Sequence, residues 1–229
     1  MTERKLGIAI HGAGWVAHAH AASWRKNPHA QIVSVSDVDR ERAKRFAAEF
    51  QLDCEVRDDY QQVLDDARVD VVDVTGPSHV HAQQGIAAAR AGKHLLVEKP
   101  MGLTMDENRA LRDAVAQAQI KSVAGFVLRW NPAVEMIRSL VGNGAIGELV
   151  YAQVDYWHRM RPTHHAWDLH RRKQTGGSAM LLVGCHAVDT LRWLTGDEVV
   201  EVSAVSNNQR GLFEYPANVV AVLRFRSGI

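Results

Sequence analysis

The chain has 229 residues, 46% hydrophobic and 23% charged, a globular composition that excludes a disordered, collagenous or coiled-coil protein. Lys and Arg number 27 against 26 acidic residues, so no net field is available to hold nucleic acid or an anionic membrane surface. The length suits one large domain or two small ones. No apolar run approaches a membrane span, and Met1 to Lys5 leads into a strand-like segment without a secretion signal. Cys54 and Cys185 lack CxxC or zinc-ligand spacing, which fits a reducing, cytoplasmic compartment.

In chain order, residues 6–10 read as a strand, Gly12 and Gly14 as a tight turn, and 15–26 as a helix. Residues 31–36 are rich in β-formers and stop at Asp37, and 40–50 are helical in composition. Residues 69–74, interrupted only by Asp70 and Asp73, give a third strand, followed by Gly76-Pro77 and a helix over 82–91 closed by Gly92. His94 to Val97 is a further strand. Thr104 with Glu107 three residues on has capping-box spacing for a helix to about Gln119, and 122–128 close the series as a strand. Strands alternating with helices at this spacing predict an α/β domain, a doubly wound parallel sheet over residues 1–125.

After Pro132 the pattern changes. Residues 133–141 read as a helix, 149–157 as an aromatic-rich strand, 157–173 as a polar loop, 179–194 as a helix, and 199–206 and 218–226 as strands. The second part, 126–229, is expected to be an α+β substrate or oligomerisation domain.

The strongest local signal is Gly12-Ala13-Gly14-Trp15-Val16-Ala17, a G-x-G-x-x-A between a strand and a helix. The first glycine allows the tight turn and the second lets the backbone approach a pyrophosphate. Ala17 lets the helix pack on the strand, and the helix N-terminus offers unpaired N–H groups. Asp37 ends the second strand 25 positions after Gly12, where an acid accepts hydrogen bonds from an adenosine ribose. Its charge favours NAD and would repel the 2′-phosphate of NADP, although nearby Arg40 leaves NADP open. The competing reading, a glycine turn that merely packs a helix on a sheet, is weakened by strand, helix and acid occurring together.

Lys99, in Glu98-Lys99-Pro100, follows an apolar strand on the edge where open α/β sheets bind ligands, and could donate to a substrate oxygen or pass a proton. On position alone, a solvated lysine before a turn proline is an equally good reading. His186 and Asp189 share a helix face, and a neutral imidazole can take a hydroxyl proton as hydride leaves the same carbon. Taken alone, a core or capping histidine is the better reading. The 157–173 loop holds His158, His164, His165, His170 and five cations; it could cover a substrate, with Trp157 or Trp167 stacking on a sugar face, or be an ordinary solvated loop. No histidine or cysteine group has metal-ligand spacing, so no metal is expected.

Several motifs occur in one order: Gly12 to Ala17, Gly76-Pro77-Ser78-His79-Val80-His81, Gly92-Lys93-His94 leading to Glu98-Lys99-Pro100, Arg129-Trp130-Asn131-Pro132, Gly144-Ala145-Ile146-Gly147, and Gly176-Gly177 to His186. That succession resembles the Gfo/Idh/MocA family of NAD(P)-dependent sugar and cyclitol oxidoreductases over nearly the whole chain. The resemblance implies Lys99 as catalytic lysine, His186 as general base, and a cofactor site of Gly12, Gly14, Trp15, Val16, Asp37, Gly76, Pro77, Ser78, His81 and Glu98. It implies hydride transfer between nicotinamide and a hydroxyl or keto carbon of a sugar, cyclitol or related polyol. It further implies a Rossmann domain followed by an open-faced sheet domain through which a homo-oligomer would form.

Three departures matter. Many dehydrogenases of the family have an aspartate four residues before the catalytic histidine, and here that position is Leu182, leaving Asp189 or a substrate group to orient the imidazole. The usual Asn after the second-loop proline is Ser78. In length, family members continue for a further hundred residues or more, so the second-domain sheet is expected to be incomplete, with an edge open to pairing. Leu182 and the length keep two alternatives in view: a non-catalytic NAD-binding sensor or scaffold, and a redox-neutral lyase or glycosidase that retains NAD.

Overall fold

The computed structural model describes residues 4–229, which divide into two compact units, the first reaching Gly125 and the second running Phe126–Ile229. In the first, β1 (Leu6–His11), α1 (Trp15–Trp24), β2 (Ala30–Ser36), α2 (Arg40–Glu49), β3 (Glu55–Arg57) and α3 (Tyr60–Leu64) are followed by β4 (Val71–Val74), α4 (His81–Arg90), β5 (His94–Val97), α5 (Met105–Ala118) and β6 (Ser122–Ala124). The six strands form one sheet in the order β3-β2-β1-β4-β5-β6, every pairing parallel. Strand order reverses between β1 and β4, the position at which doubly wound sheets leave a crevice beyond their carboxyl ends.

Both sheet faces are buried, as parallel sheets require. Ile8, Ile10 and Val35 pack with Ala17, Ala21 and Phe46 on one face. Ala9, Val72, Val74, Leu95 and Val97 pack with Val63, Leu64, Ala88 and Leu111 on the other. Helix starts are set locally: the side chain of Asp39 accepts from Arg42 N–H, Asp59 accepts from Gln61 N–H, and Thr104 with Glu107 completes a capping box.

The second unit holds a 3₁₀ turn over Val127–Trp130, α6 (Pro132–Gly142), α7 (Trp167–His170), α8 (Lys173–Gly176), a π-helical turn over Met180–Gly184, α9 (Cys185–Thr195), and an antiparallel pair, β7 (Val199–Asn207) and β8 (Asn218–Phe225).

Several sequence expectations need correction. The first helix stops at Trp24 because Pro28 and the restricted Asn27 before it cannot prolong it. β6 stops at Ala124, opposite Val97, where its partner β5 ends. The strand expected over 149–157 is absent, residues 147–161 carrying no regular structure; β propensity without a neighbouring strand forms no ladder. β3 and α3 were not anticipated, and the expected single helix over 179–194 is a π turn leading into α9. Among the described residues no helix is long and apolar enough to cross a membrane.

Candidate active site

The turn after β1 is held to the turn after β4. Gly12 has φ +103°, and a Cβ there would lie 2.5 Å from the Gly76 amide nitrogen, so only glycine fits. Thr75 N–H donates to the His11 carbonyl at 2.9 Å and Thr75 Oγ1 donates to the Gly12 carbonyl at 2.8 Å. A Cβ on Gly14, in contrast, would meet nothing within 4 Å. Helix α1 starts at Gly14 with no side-chain cap and no acid in its first turn, Trp15 is exposed and Val16 half-buried. An uncapped helix end beside open space where a Cβ would stand fits a pyrophosphate.

Asp37 is buried at the end of β2. Its Oδ2 accepts the Ala13 N–H at 2.9 Å and its Oδ1 accepts the Asp39 N–H at 2.9 Å, so the carboxylate ties the glycine turn to the start of α2. Arg42 Nη1 lies 3.3 Å from Oδ1 and is the cation at this carboxylate; Arg40 is exposed. Sequence reasoning passed over Arg42, although its place in the first turn of a helix capped by Asp39 was the available signal. His11 completes this corner, 2.7 Å from Ser36 Oγ and stacked on Tyr60 with ring centroids 4.0 Å apart. Burial lowers its pKa to about 4 against the pull of Asp37, leaving a neutral ring.

Pro77 is exposed and Ser78 half-buried at the start of a 3₁₀ turn, Ser78–Val80. His81, expected in the cofactor site, is only 1% exposed. Its Nδ1 lies 2.8 Å from the Pro100 carbonyl oxygen and its Nε2 2.8 Å from the Gly76 carbonyl oxygen, so it fastens the two loops from beneath. Glu98 is buried at the end of β5, and its Oε2 accepts the Lys99 N–H at 3.1 Å. Gly125 leaves it room, since a Cβ there would stand 2.5 Å from Glu98 Oε1. Lys99 is half-buried and its bond to Pro100 is cis. The structure therefore gathers Gly12, Gly14, Asp37, Gly76, Glu98 and Lys99 along the carboxyl edge of one sheet. A cavity of about 440 Å³ opens on the amino edge, lined by Gly7, Gln31, Cys54 and Arg68 among others, and holds none of them.

In the second unit His186 lies in the first turn of α9, buried, with Tyr156 stacked on it at 5.1 Å and Phe126 edge-on at 6.3 Å. Asp189 is bound by Arg129: its two oxygens take Arg129 Nε at 2.8 Å and Nη2 at 2.5 Å. Asp189 is thus engaged by Arg129, and Leu182, buried in the π turn, offers no side-chain polar group. Neither Arg129 nor Tyr156 was foreseen, because each meets α9 from a distant stretch of chain. In the 157–173 loop Trp157 is 92% exposed, Trp167 packs edge-on against Phe213 at 5.1 Å, and His164 lies 4.2 Å from His165 and 5.3 Å from His170, centroid to centroid. Among the described residues no group of three or more His, Cys, Asp or Glu side chains is placed to hold a metal ion.

Residues 6–126 match a family described as an oxidoreductase family with an NAD-binding Rossmann fold, and residues 134–229 match the GFO/IDH/MocA C-terminal domain. The chain belongs to the GFO/IDH/MocA oxidoreductase family. Levoglucosan dehydrogenase of Pseudarthrobacter phenanthrenivorans is 30% identical over 205 residues, 85% of this chain and 52% of the relative. The scyllo-inositol 2-dehydrogenase (NAD(+)) of Bacillus subtilis is 29% identical over 204 residues, 88% of this chain and 57% of the relative. A solved levoglucosan dehydrogenase in complex with NADH shares the fold with a TM-score of 0.86 at 28% identity, covering 98% of this chain and 65% of that one. The chain spans about half the length of these curated relatives. Its first unit is the NAD-binding Rossmann domain of the GFO/IDH/MocA family.

Proposed function

We propose that this GFO/IDH/MocA protein is an NAD-linked oxidoreductase acting on a hydroxyl or keto carbon of a sugar, cyclitol or related polyol. The observation that carries the reading is Lys99 two residues beyond β5, on the same sheet edge as the open Gly14 turn, in a chain whose relatives are named dehydrogenases of levoglucosan and scyllo-inositol. Bound at that edge, NAD supplies hydride transfer. The α1 N-terminus and Gly14 would receive its pyrophosphate, with Trp15, Val16, Pro77 and Ser78 at the rim, and Asp37 would favour an unphosphorylated ribose. Arg42, beside Asp37, is the residue through which NADP would be tolerated. Lys99 would donate to the substrate oxygen and stabilise its developing charge, and His186 would take the hydroxyl proton. We assign the protein to the cytoplasm from its two-cysteine composition, and assign self-association to the sheet of β7 and β8, whose Val205, Val220 and Val222 are exposed.

Leu182 favours a second reading. With no acid one turn before His186 and Asp189 bound to Arg129, the protein could bind NAD without catalysis, as a sensor. Direct NAD binding, together with NADH absorbance over a panel of polyols and keto sugars, separates the two for wild type and Lys99→Ala. The oxidoreductase reading expects NAD affinity within about threefold in the variant, and turnover lowered by about 10²-fold or more. Unchanged turnover in Lys99→Ala refutes the lysine's role. Binding without turnover on any substrate supports the sensor.

A further inference from the structure

Helix α1 carries a histidine that the roles above leave unused. His20 Nδ1 lies 3.0 Å from both Asp73 oxygens, and its Nε2 lies 3.2 Å from Glu98 Oε1. Asp73 is fully buried within β4, in register with Ile10 of β1 and Leu96 of β5. A carboxylate in such a place is tolerated only when paired. Trp24 Nε1–H, one turn further along α1, donates to Asp73 Oδ2 at 2.7 Å. Carboxylates only accept, so a ring placed between two of them must donate from both nitrogens, and only imidazolium does that.

The electrostatics agree with the geometry. Burial works against the charged ring, yet hydrogen bonds to Asp73 and Glu98 and the attraction of both carboxylates raise the His20 pKa to about 10. Burial likewise opposes the Glu98 carboxylate, while His20 and then Lys99 hold its pKa below the usual range. Charges alternate along one path from the middle of the sheet to its edge: Asp73, His20, Glu98, Lys99. His81, on α4, also feels Glu98 and Lys99.

We propose that His20 is a positioning residue, an imidazolium clamp that fixes the Glu98 carboxylate and, through it, the turn that carries Lys99. Glu98 meets His20 with Oε1 and the Lys99 N–H with Oε2, so one carboxylate links α1 to the lysine's own backbone. On the other side of Lys99, the Pro100 carbonyl is held by His81. Gly125 leaves the carboxylate this position, since a Cβ there would stand 2.5 Å from Glu98 Oε1. The helix that opens the glycine turn thereby also sets the lysine. The catalytic consequence rests on the Lys99 reading above; the state of the clamp does not.

Two experiments separate those claims. By ¹⁵N NMR of the full chain, the His20 ring should stay doubly protonated at pH 8, and Glu98→Gln should move its titration down toward the ordinary histidine range. A ring that is neutral at pH 8, or a titration that Glu98→Gln does not move, overturns the proposal. His20→Gln keeps a donor and loses the charge. It should lower kcat of the folded enzyme by about 10–100-fold, the effect of a misplaced catalytic group, with NAD affinity changing far less, while the melting temperature falls because two buried carboxylates lose their cation. A loss of kcat, NAD affinity and folded fraction together, or no loss at all, overturns the positioning role. Should the wild type turn over no substrate, the proposed function fails alone. The ε-¹³C resonance of Lys99, assigned with Lys99→Arg, then decides the clamp: it shifts in His20→Gln if His20 positions the lysine and stays put if it does not.

Discussion

Replacing Arg129 by Met tests how α9, and with it His186, is held. Arg129 binds both oxygens of Asp189 at 2.8 and 2.5 Å; the Asp189 side chain is 5% exposed and that of Arg129 34%. Removing one partner of a buried pair costs about 3–5 kcal/mol, chiefly by stranding the remaining charge. The guanidinium is one-third exposed and water screens part of that interaction, which brings the expected cost to about 2 kcal/mol. Arg129 also lies 4.7 Å from the Trp193 ring centroid and 5.9 Å from that of Phe126, contacts worth about 0.5–1 kcal/mol more at such a site. Methionine preserves the apolar stem, so charge and hydrogen bonding dominate what is lost. The expected total is about 2–3 kcal/mol, or roughly 30–150-fold in an opening equilibrium.

Hydrogen exchange on peptides covering α9 reads that quantity locally, which avoids treating a two-unit chain as a single transition. Arg129→Met should lower α9 protection by the stated factor. Adding Asp189→Asn, which removes the stranded charge, should restore a good part of it. Protection within about threefold of wild type, or a double variant as damaged as Arg129→Met alone, refutes the argument.

Two further outcomes follow from the first unit. Gly14→Ala adds a methyl to open space and should leave the melting temperature unchanged while weakening NAD binding about tenfold or more; Gly12→Ala, driven against the Gly76 backbone at φ +103°, should lose both stability and binding. Calorimetric titration with NAD beside a thermal melt checks the pair, and equal NAD affinity in Gly14→Ala removes the pyrophosphate from that turn. His11, its pKa lowered to about 4, binds a proton less readily folded than unfolded, where it stays near the ordinary histidine value of 6.5. Its contribution is therefore complete above pH 6.5 and lost as pH falls toward 4, about 3 kcal/mol in all. Denaturant midpoints across that window should fall less steeply in His11→Asn, and identical slopes would count against the buried neutral ring.

How far the sequence reveals this depends on how local each cause is. The capping box at Thr104 and Glu107 and the left-handed Gly12 turn are legible because every atom involved is within a few residues. β3 escaped because its three residues, Glu55-Val56-Arg57, become a strand only by pairing with β2. The 149–157 segment shows the converse: β-forming residues that find no partner. The π turn before His186 had a faint mark in Gly184, where a Cβ would stand 2.7 Å from Met180 Sδ. Arg129 and Asp189 are 60 positions apart, beyond any periodic pattern. Asp73 looked like an interruption in an apolar strand, yet a buried carboxylate there demands a cation, and α1 supplies His20.

The two side chains proposed for chemistry are mounted alike. Lys99 follows a carboxylate, Glu98, held by a cation from another element, and His186 lies one turn before a carboxylate, Asp189, held by a cation from another element. Buried pairs of this kind roughly break even against apolar packing, so stability alone does not account for them. What they add is direction: an apolar contact tolerates rotation, whereas a carboxylate bound at both oxygens does not. The two mounts differ in their cation. Arg129 keeps its charge at every pH the fold survives, but the charge on His20, still in place at pH 8, drains away as pH rises through about 10, and the stability it lends is full only below pH 6.5. Of the two, only the mount beneath Lys99 is open to release by loss of a proton.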